Sequence, residues 1–237
     1  MNDEPSAAPL DLQGASVLVL GATGVLGGHL ADLFHAAGAR LTLTGRSPEA
    51  LAAVAQRLRG SAALVADLRD AEAGPRLVEA AVAHGGGLDV LVNAAGVVAF
   101  GELVGADQTV IEDLFLTNVL GPLWVAQAAY PALAASRGVL CQITGIVAER
   151  AVPGMAAYCA SKAAMSSACA ALSREWAGAG VTVVDARPGH TETGMAGRPL
   201  EGTAPRMRTG MDPFAVAGRI MGAIVHRQSE VPSTEFE

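Results

Sequence analysis

The chain is nearly without lysine: of its 16 basic residues only Lys162 is one, and arginine supplies the rest. Aromatic residues make up 4% and charged residues 16% of a 237-residue chain that is 51% hydrophobic. The core must therefore be built of alanine, valine and leucine, and the length suffices for one domain with a sizeable core. Cysteine is scarce too. Cys141, Cys159 and Cys169 are odd in number and lack metal-ligand spacing, which excludes a disulfide scaffold and leaves no metal site to expect. They read as small buried apolar residues. Excess positive charge is absent: the net charge of -7 argues against nucleic acid or an anionic membrane as the main partner. No apolar run reads as long enough to span a bilayer, and the opening MNDEPSAAPLDLQG is acidic rather than signal-like. Cytoplasmic residence is the expectation, with residues 1–13 a loose arm and 14–237 a single domain.

Against that background the lone lysine stands out. It follows Tyr158 by four residues in MAAYCASKAAMSSACAALSREW, a stretch rich in helix formers and free of glycine and proline. Positions i and i+4 share a helix face, so a phenol and an ammonium would point the same way. A nearby cation favours phenolate, which is expected to lower the tyrosine pKa from its reference of about 10. Arginine's planar fork does not substitute for a point charge at a tight site, which gives a reason for keeping lysine here.

The remaining motifs fall at strand ends. Ser16–Leu20 reads as a strand, followed by GATGVLGG and a helical pattern; glycines there let the backbone approach a pyrophosphate at a helix N-terminus. Arg40–Thr44 is a second strand, leading into Gly45-Arg46-Ser47. An arginine without a carboxylate at this point suits the 2′-phosphate of NADP; Ser47 could equally cap the helix at 48–59. Strand 62–66 ends in Asp67-Leu68, and strand 88–92 in Asn93-Ala94-Ala95-Gly96. One long helix is expected over 107–136. Asn118 inside it needs partners for its amide and is either a backbone clamp or a site residue. Strand 138–143 delivers Thr144-Gly145, and strand 181–186 delivers Pro188-Gly189-His190-Thr191. Residues 194–210, rich in Gly, Pro and Arg, read as a mobile segment near the site. Asp212-Pro213 opens a last helix, and the tail holds at most a three-residue strand. Alternating strands and helices give an α/β, Rossmann-type, doubly wound parallel sheet in three layers, with ligands beyond the strands' carboxyl ends.

With these motifs the chain resembles the short-chain dehydrogenase/reductase family over nearly its whole length. The resemblance rests on the glycine turn 21–27, Asp67, Asn93 to Gly96, Asn118, Tyr158-x-x-x-Lys162 and Pro188-Gly189. It implies an oxidoreductase interconverting a carbonyl and a secondary alcohol, with NADP(H) preferred and NAD(H) possible. Tyr158 would pass the proton, Lys162 would lower its pKa and hold the nicotinamide ribose, and Asn118 would hold a water of a proton relay. Gly21, Thr23, Gly24, Val25, Leu26, Gly27, Arg46, Asp67, Leu68, Asn93, Ala94, Ala95, Gly96, Pro188, Gly189, Thr191 and Thr193 would bind the cofactor; Thr144, Gly145, Met155, His190 and Met195 would line the substrate pocket. His190 could equally be a loop histidine. Members commonly pair through helices at about 107–136 and 156–177, which implies a homodimer or homotetramer. Two departures stand out. Val25 occupies the usual middle glycine, and Gly145 stands where the catalytic serine belongs, thirteen residues before the tyrosine. A serine restored at 145 is expected to raise turnover. A binding or regulatory protein with impaired catalysis is the alternative that Gly145 supports. The chain also looks too short for the family's final strand.

Overall fold

The computed structural model describes residues 8–236. Seven parallel strands run β1 (Ser16–Leu20), β2 (Arg40–Gly45), β3 (Ala62–Val65), β4 (Val90–Asn93), β5 (Val139–Ile143), β6 (Thr182–Ala186) and β7 (Glu230–Val231), in the spatial order β3-β2-β1-β4-β5-β6-β7. The central strands are buried on both faces, so they read as continuous apolar runs. Alternate side chains still sort to opposite layers. Val17 and Val19 of β1 meet α1 (Val25–Ala36), α2 (Pro48–Arg57) and α7 (Pro213–Val225) through Leu30, Phe34, Leu51 and Ile220. Leu18 and Leu20 face α3 (Ala73–Gly85), α5 (Gly121–Ser136) and α6 (Ala156–Trp176) through Leu77, Ala129, Leu133 and Met165.

Strand order reverses at β1 and β4, and the crevice there is where ligands of such sheets bind. The expected helix over 107–136 is interrupted. Helix α4 (Gln108–Phe115) passes through a π-helical turn, Leu116–Leu120, into α5. Pro122 carries no N–H for the carbonyl four residues back, and the Gly121 N–H reaches Leu116 O instead. Gly121 also lies so close to Leu68 that a Cβ would sit 2.3 Å from the Leu68 carbonyl oxygen. Taken together, Gln108–Ser136 is long and apolar enough to cross a membrane, contrary to expectation; 44% of its most apolar window is buried inside the domain.

Three other expectations change. Among the described residues of the arm, Leu10 donates to the Val225 carbonyl at 2.8 Å and Leu12 is buried, so these two lie against the body while Ala8, Pro9, Asp11 and Gln13 are exposed; residues 1–7 fall outside the described part. The tail supplies a final strand after all: β7 pairs in parallel with β6, two residues long. The segment after Gly194 is tied down at its middle, since Leu200 donates to the Val98 carbonyl and Phe100 to the Glu201 carbonyl. Gly202 permits this, because a Cβ there would strike the Phe100 carbonyl at 1.9 Å.

Candidate active site

The glycine turn after β1 is shaped by contacts that exclude side chains. Gly21 has φ +77°, and a Cβ on it would lie 2.8 Å from the Ala95 backbone. A Cβ on Gly27 would sit 2.2 Å from Gly21 O, so Gly27 lets α1 pack under its own turn. Gly24 is the N-cap of α1 and offers no side-chain acceptor to the first-turn N–H groups. Those donors and the helix dipole are what a pyrophosphate needs. Val25 opens the helix and is 38% exposed beside the cleft. At the end of β2, Arg46 is exposed and makes no hydrogen bond or ion pair among the described residues, whereas Ser47 caps α2 by accepting from Ala50 N. Gly45 packs against Thr23, where a Cβ would come within 2.7 Å. Asp67 is already engaged: Arg69 donates to it at 2.7 Å and holds its carboxyl below the usual range.

Residues 94–96 cross the floor of the cleft. Asn93 does not face it. Its amide donates to Gln142 at 2.8 Å and its oxygen accepts from Ala95 N, so the side chain shapes the turn from beneath. Asn118 is buried and acts as a backbone clamp: its oxygen accepts from Val97 N and its nitrogen donates to Val97 O, both at 2.9 Å. Gly96 lies against the clamp; a Cβ there would be 3.3 Å from Asn118 Oδ1 and 3.5 Å from Lys162 Nζ.

On α6, Tyr158 and Lys162 share the face that lines the cleft. The Tyr158 hydroxyl makes no hydrogen bond among the described residues. Burial pushes its pKa up to about 12, so the expected lowering by Lys162 does not hold: desolvation of the phenolate is the largest cause. Lys162 is 7% exposed, and burial draws its pKa down to about 8. Its Nζ donates to Ile143 O at 2.9 Å.

Gly145 has φ +88° and ψ 164°, a region essentially reserved for glycine. A Cβ there would meet only Pro188 O, at 3.6 Å, so space is free while the backbone is not. That conformation opposes a serine at 145, whatever its hydroxyl could offer. Thr144 cannot stand in for it either. It is 1% exposed, and its hydroxyl donates inward to Asp185 Oδ1 at 2.5 Å.

The turns and helices enclose a continuous cleft. One chamber of about 340 Å³ is lined by the glycine turn, Arg46, Asp67, Leu68 and the 94–96 floor. Another of about 380 Å³ shares Leu26, Ala94 to Gly96, Thr193 and Met195 with it and adds Gly145, Tyr158, Lys162 and His190. A family model described as short chain dehydrogenase matches residues 15–202. The chain belongs to the short-chain dehydrogenase/reductase family. It is 30% identical over 238 residues, 93% of its length and 73% of the relative's, to "Dehydrogenase/reductase SDR family member 7B" of Bos taurus. It is 30% identical over 194 residues, 79% and 83% of the two lengths, to "Uncharacterized oxidoreductase SSP0419" of Staphylococcus saprophyticus. Among solved structures, a short-chain dehydrogenase of Burkholderia cenocepacia J2315 in complex with NADP superposes with a TM-score of 0.84 at 28% identity, covering 94% of this chain and 97% of that one. One from Streptomyces avermitilis gives 0.83 at 26%, covering 92% and 88%.

As a short-chain dehydrogenase/reductase the chain is an oxidoreductase, and its cleft fits a nicotinamide dinucleotide: side chains are excluded at Gly21 and Gly27, α1 begins uncapped, and Arg46 is unengaged. Of the cofactor residues expected from sequence, all line the two chambers except Gly27, packed beneath the turn, and Asn93. The expected substrate residues Thr144, Gly145, Met155, His190 and Met195 line the second chamber, Thr144 without its hydroxyl free. Asn118 lies behind the wall. Sequence reasoning missed Phe100, Val98 and Val152 in the wall, whereas Met207 and Arg198 belong to the 194–210 segment expected near the site. It also missed Asp185, whose signal was a carboxylate in the otherwise apolar strand run VTVVDA.

Proposed function

We propose that the protein is an NADP(H)-dependent reductase of small apolar carbonyl compounds, with Tyr158 as general acid and the corresponding alcohol as product. The observation that carries this is a phenol with no competing hydrogen bond, opposite the 94–96 floor, in the chamber that continues the dinucleotide cleft. When bound, the cofactor supplies the hydride. The chain's part is to position and to protonate. A phenol protonated throughout the working pH range suits donation to the oxygen of a carbonyl being reduced. Lys162 would offer positive charge beside that oxygen and hold the ribose, and Arg46 would favour NADPH over NADH. Besides Tyr158 and Lys162 the chamber wall carries one ionisable group, His190, which lies 3.5 Å from Glu192. Leu26, Val98, Phe100, Ile146 and Val152 make most of the rest apolar, which favours an uncharged substrate.

Gly145 favours a second reading, a dinucleotide-binding regulatory protein whose turnover is impaired, because one hydrogen-bond donor to the developing oxyanion is missing. Such a donor is typically worth about 10²–10³ in kcat. The two readings part in one experiment: NADPH consumption against a panel of apolar ketones and aldehydes, beside a fluorescence titration of NADPH. Turnover with any member supports the reductase. Tight NADPH binding with no turnover across the panel overturns it.

A further inference from the structure

Asp185 is a carboxylate 5% exposed on β6, next to the edge strand of the parallel sheet, and the chemistry above gives it nothing to do. Buried carboxylates are rare unless paired. Its partners come from three elements. Thr144, just beyond β5, donates to Oδ1 at 2.5 Å. Ser166 of α6 donates to Oδ2 at 2.5 Å. Arg187, two residues on along the chain, brings Nη1 to 3.7 Å of Oδ2. Tyr158, Lys162 and Ser166 recur every four residues, so the carboxylate grips the catalytic face of α6 one turn below the lysine. Thr144 follows directly on Ile143, whose carbonyl receives the Lys162 ammonium. Both elements that hold Lys162 are thus fastened to one carboxylate.

The charges make the same point. Arg187 is shared, since it also forms an ion pair with Glu149 at 3.1 Å and donates to Glu230 at 3.0 Å. The titratable groups around the lysine are Tyr158 and Cys169 on its own helix, Cys141 on β5, Asp185, Arg187 and His190 on or beyond β6, Glu149 after β5 and Glu230 on β7. Arg187 is thus divided among three carboxylates, of which Glu149 also feels Arg150.

We propose that Asp185 is the positioning residue of the catalytic pair, fixing the end of β5 and the face of α6 through Thr144 and Ser166 and keeping Lys162 charged from below. The proposal rests on Lys162 serving catalysis as described. Burial alone would leave the ammonium easily neutralised; the negative charge of Asp185 opposes that. A neutral lysine could neither polarise Tyr158 nor stabilise developing negative charge.

The single lysine makes a direct test available. Protein labelled with ¹³C-lysine shows one side-chain Cε resonance, which reports the protonation of Lys162 in the ligand-free chain with no need for turnover. The parent is expected to half-titrate at about 8. Asp185→Asn keeps the shape and removes the charge, and should lower the midpoint by about one unit or more. The alkaline limb of kcat should move with it. An unchanged midpoint in a folded Asp185→Asn protein overturns the proposal. Should that variant fail to fold, the triple change Thr144→Val, Asp185→Val, Ser166→Ala replaces the network with apolar groups of similar size and leaves no polar atom unpaired. The same downward shift is expected there, and its absence is equally fatal. A parent without turnover would defeat the reductase reading while the resonance still decides the role of Asp185.

Discussion

The two ends of the cleft are built by opposite means. At the dinucleotide end the chain makes room by omission: Gly21, Gly24 and Gly27 carry nothing that could obstruct, and the offered donors belong to the backbone. At the catalytic end the chain spends side chains, and nearly every polar one is committed to another. Thr144 and Ser166 hold Asp185, Asn118 holds Val97, and Lys162 holds Ile143. The Tyr158 hydroxyl makes no hydrogen bond among the described residues. One end tolerates substitution wherever a Cβ fits; the other couples residues far apart in sequence, so that a single change disturbs several.

The sharpest break in this contrast is Tyr158→Phe. It removes that hydroxyl and should lower kcat by about 10²–10⁴-fold with NADPH affinity unchanged, measured by steady-state kinetics and titration. Full activity would place the acid elsewhere.

Next in size is the alkaline behaviour of Lys162. Its pKa falls from 10.5 in the unfolded chain to about 8 in the fold. Below pH 8 both states hold the proton and folding bears the whole cost of a buried ammonium. Between these values the unfolded state holds more protons, so this residue's contribution to stability rises with pH. The rise amounts to about 3 kcal/mol. Cys141, Cys169 and Tyr158, all pushed upward by burial, act in the opposite sense at high pH. The measurement is therefore the difference in urea stability between the parent and Lys162→Met, at neutral pH and again above 10.5. A difference independent of pH would mean the lysine is solvated.

Gly145→Ser follows. Forcing a side chain onto φ +88° should cost about 1–3 kcal/mol, seen as a lower denaturation midpoint, with no gain in kcat. A variant that is both as stable as the parent and faster would show that the end of β5 relaxes freely, and that the catalytic end is less rigidly coupled than its hydrogen bonds indicate. Smallest is Arg46→Ala at the permissive end. Loss of one charge-assisted contact should weaken NADPH by about tenfold and leave NADH unchanged, in paired titrations.

The same division explains what the sequence disclosed. The glycine turn and Tyr158-Lys162 were legible because each lies within one local element, where spacing and geometry are the same thing. The family's pattern also brought Asn118 into view, but its amide partner on residue 97 came only with the fold. Thr144 was placed in the pocket wall from its strand-end position alone, because nothing local shows that its hydroxyl is taken by a residue 41 positions away. The conformation of Gly145 was hidden too, since a missing side chain looks like a gap to fill until the backbone angle is known. The break in the helix over 107–136 had a local cause in Pro122, yet a proline at the start of α5 also suits an uninterrupted entry into a helix.

The single buried lysine bears on durability. Reactive aldehydes condense with side-chain amines and conjugated carbonyls add to thiolates. Lys162 is enclosed, and the three thiols are buried, two of them held well above their ordinary pKa. The outer surface is left to arginine, which stays protonated and therefore a poor nucleophile. The chain can meet the electrophiles proposed as its substrates, and the only side-chain amine they could damage is the one inside the active site.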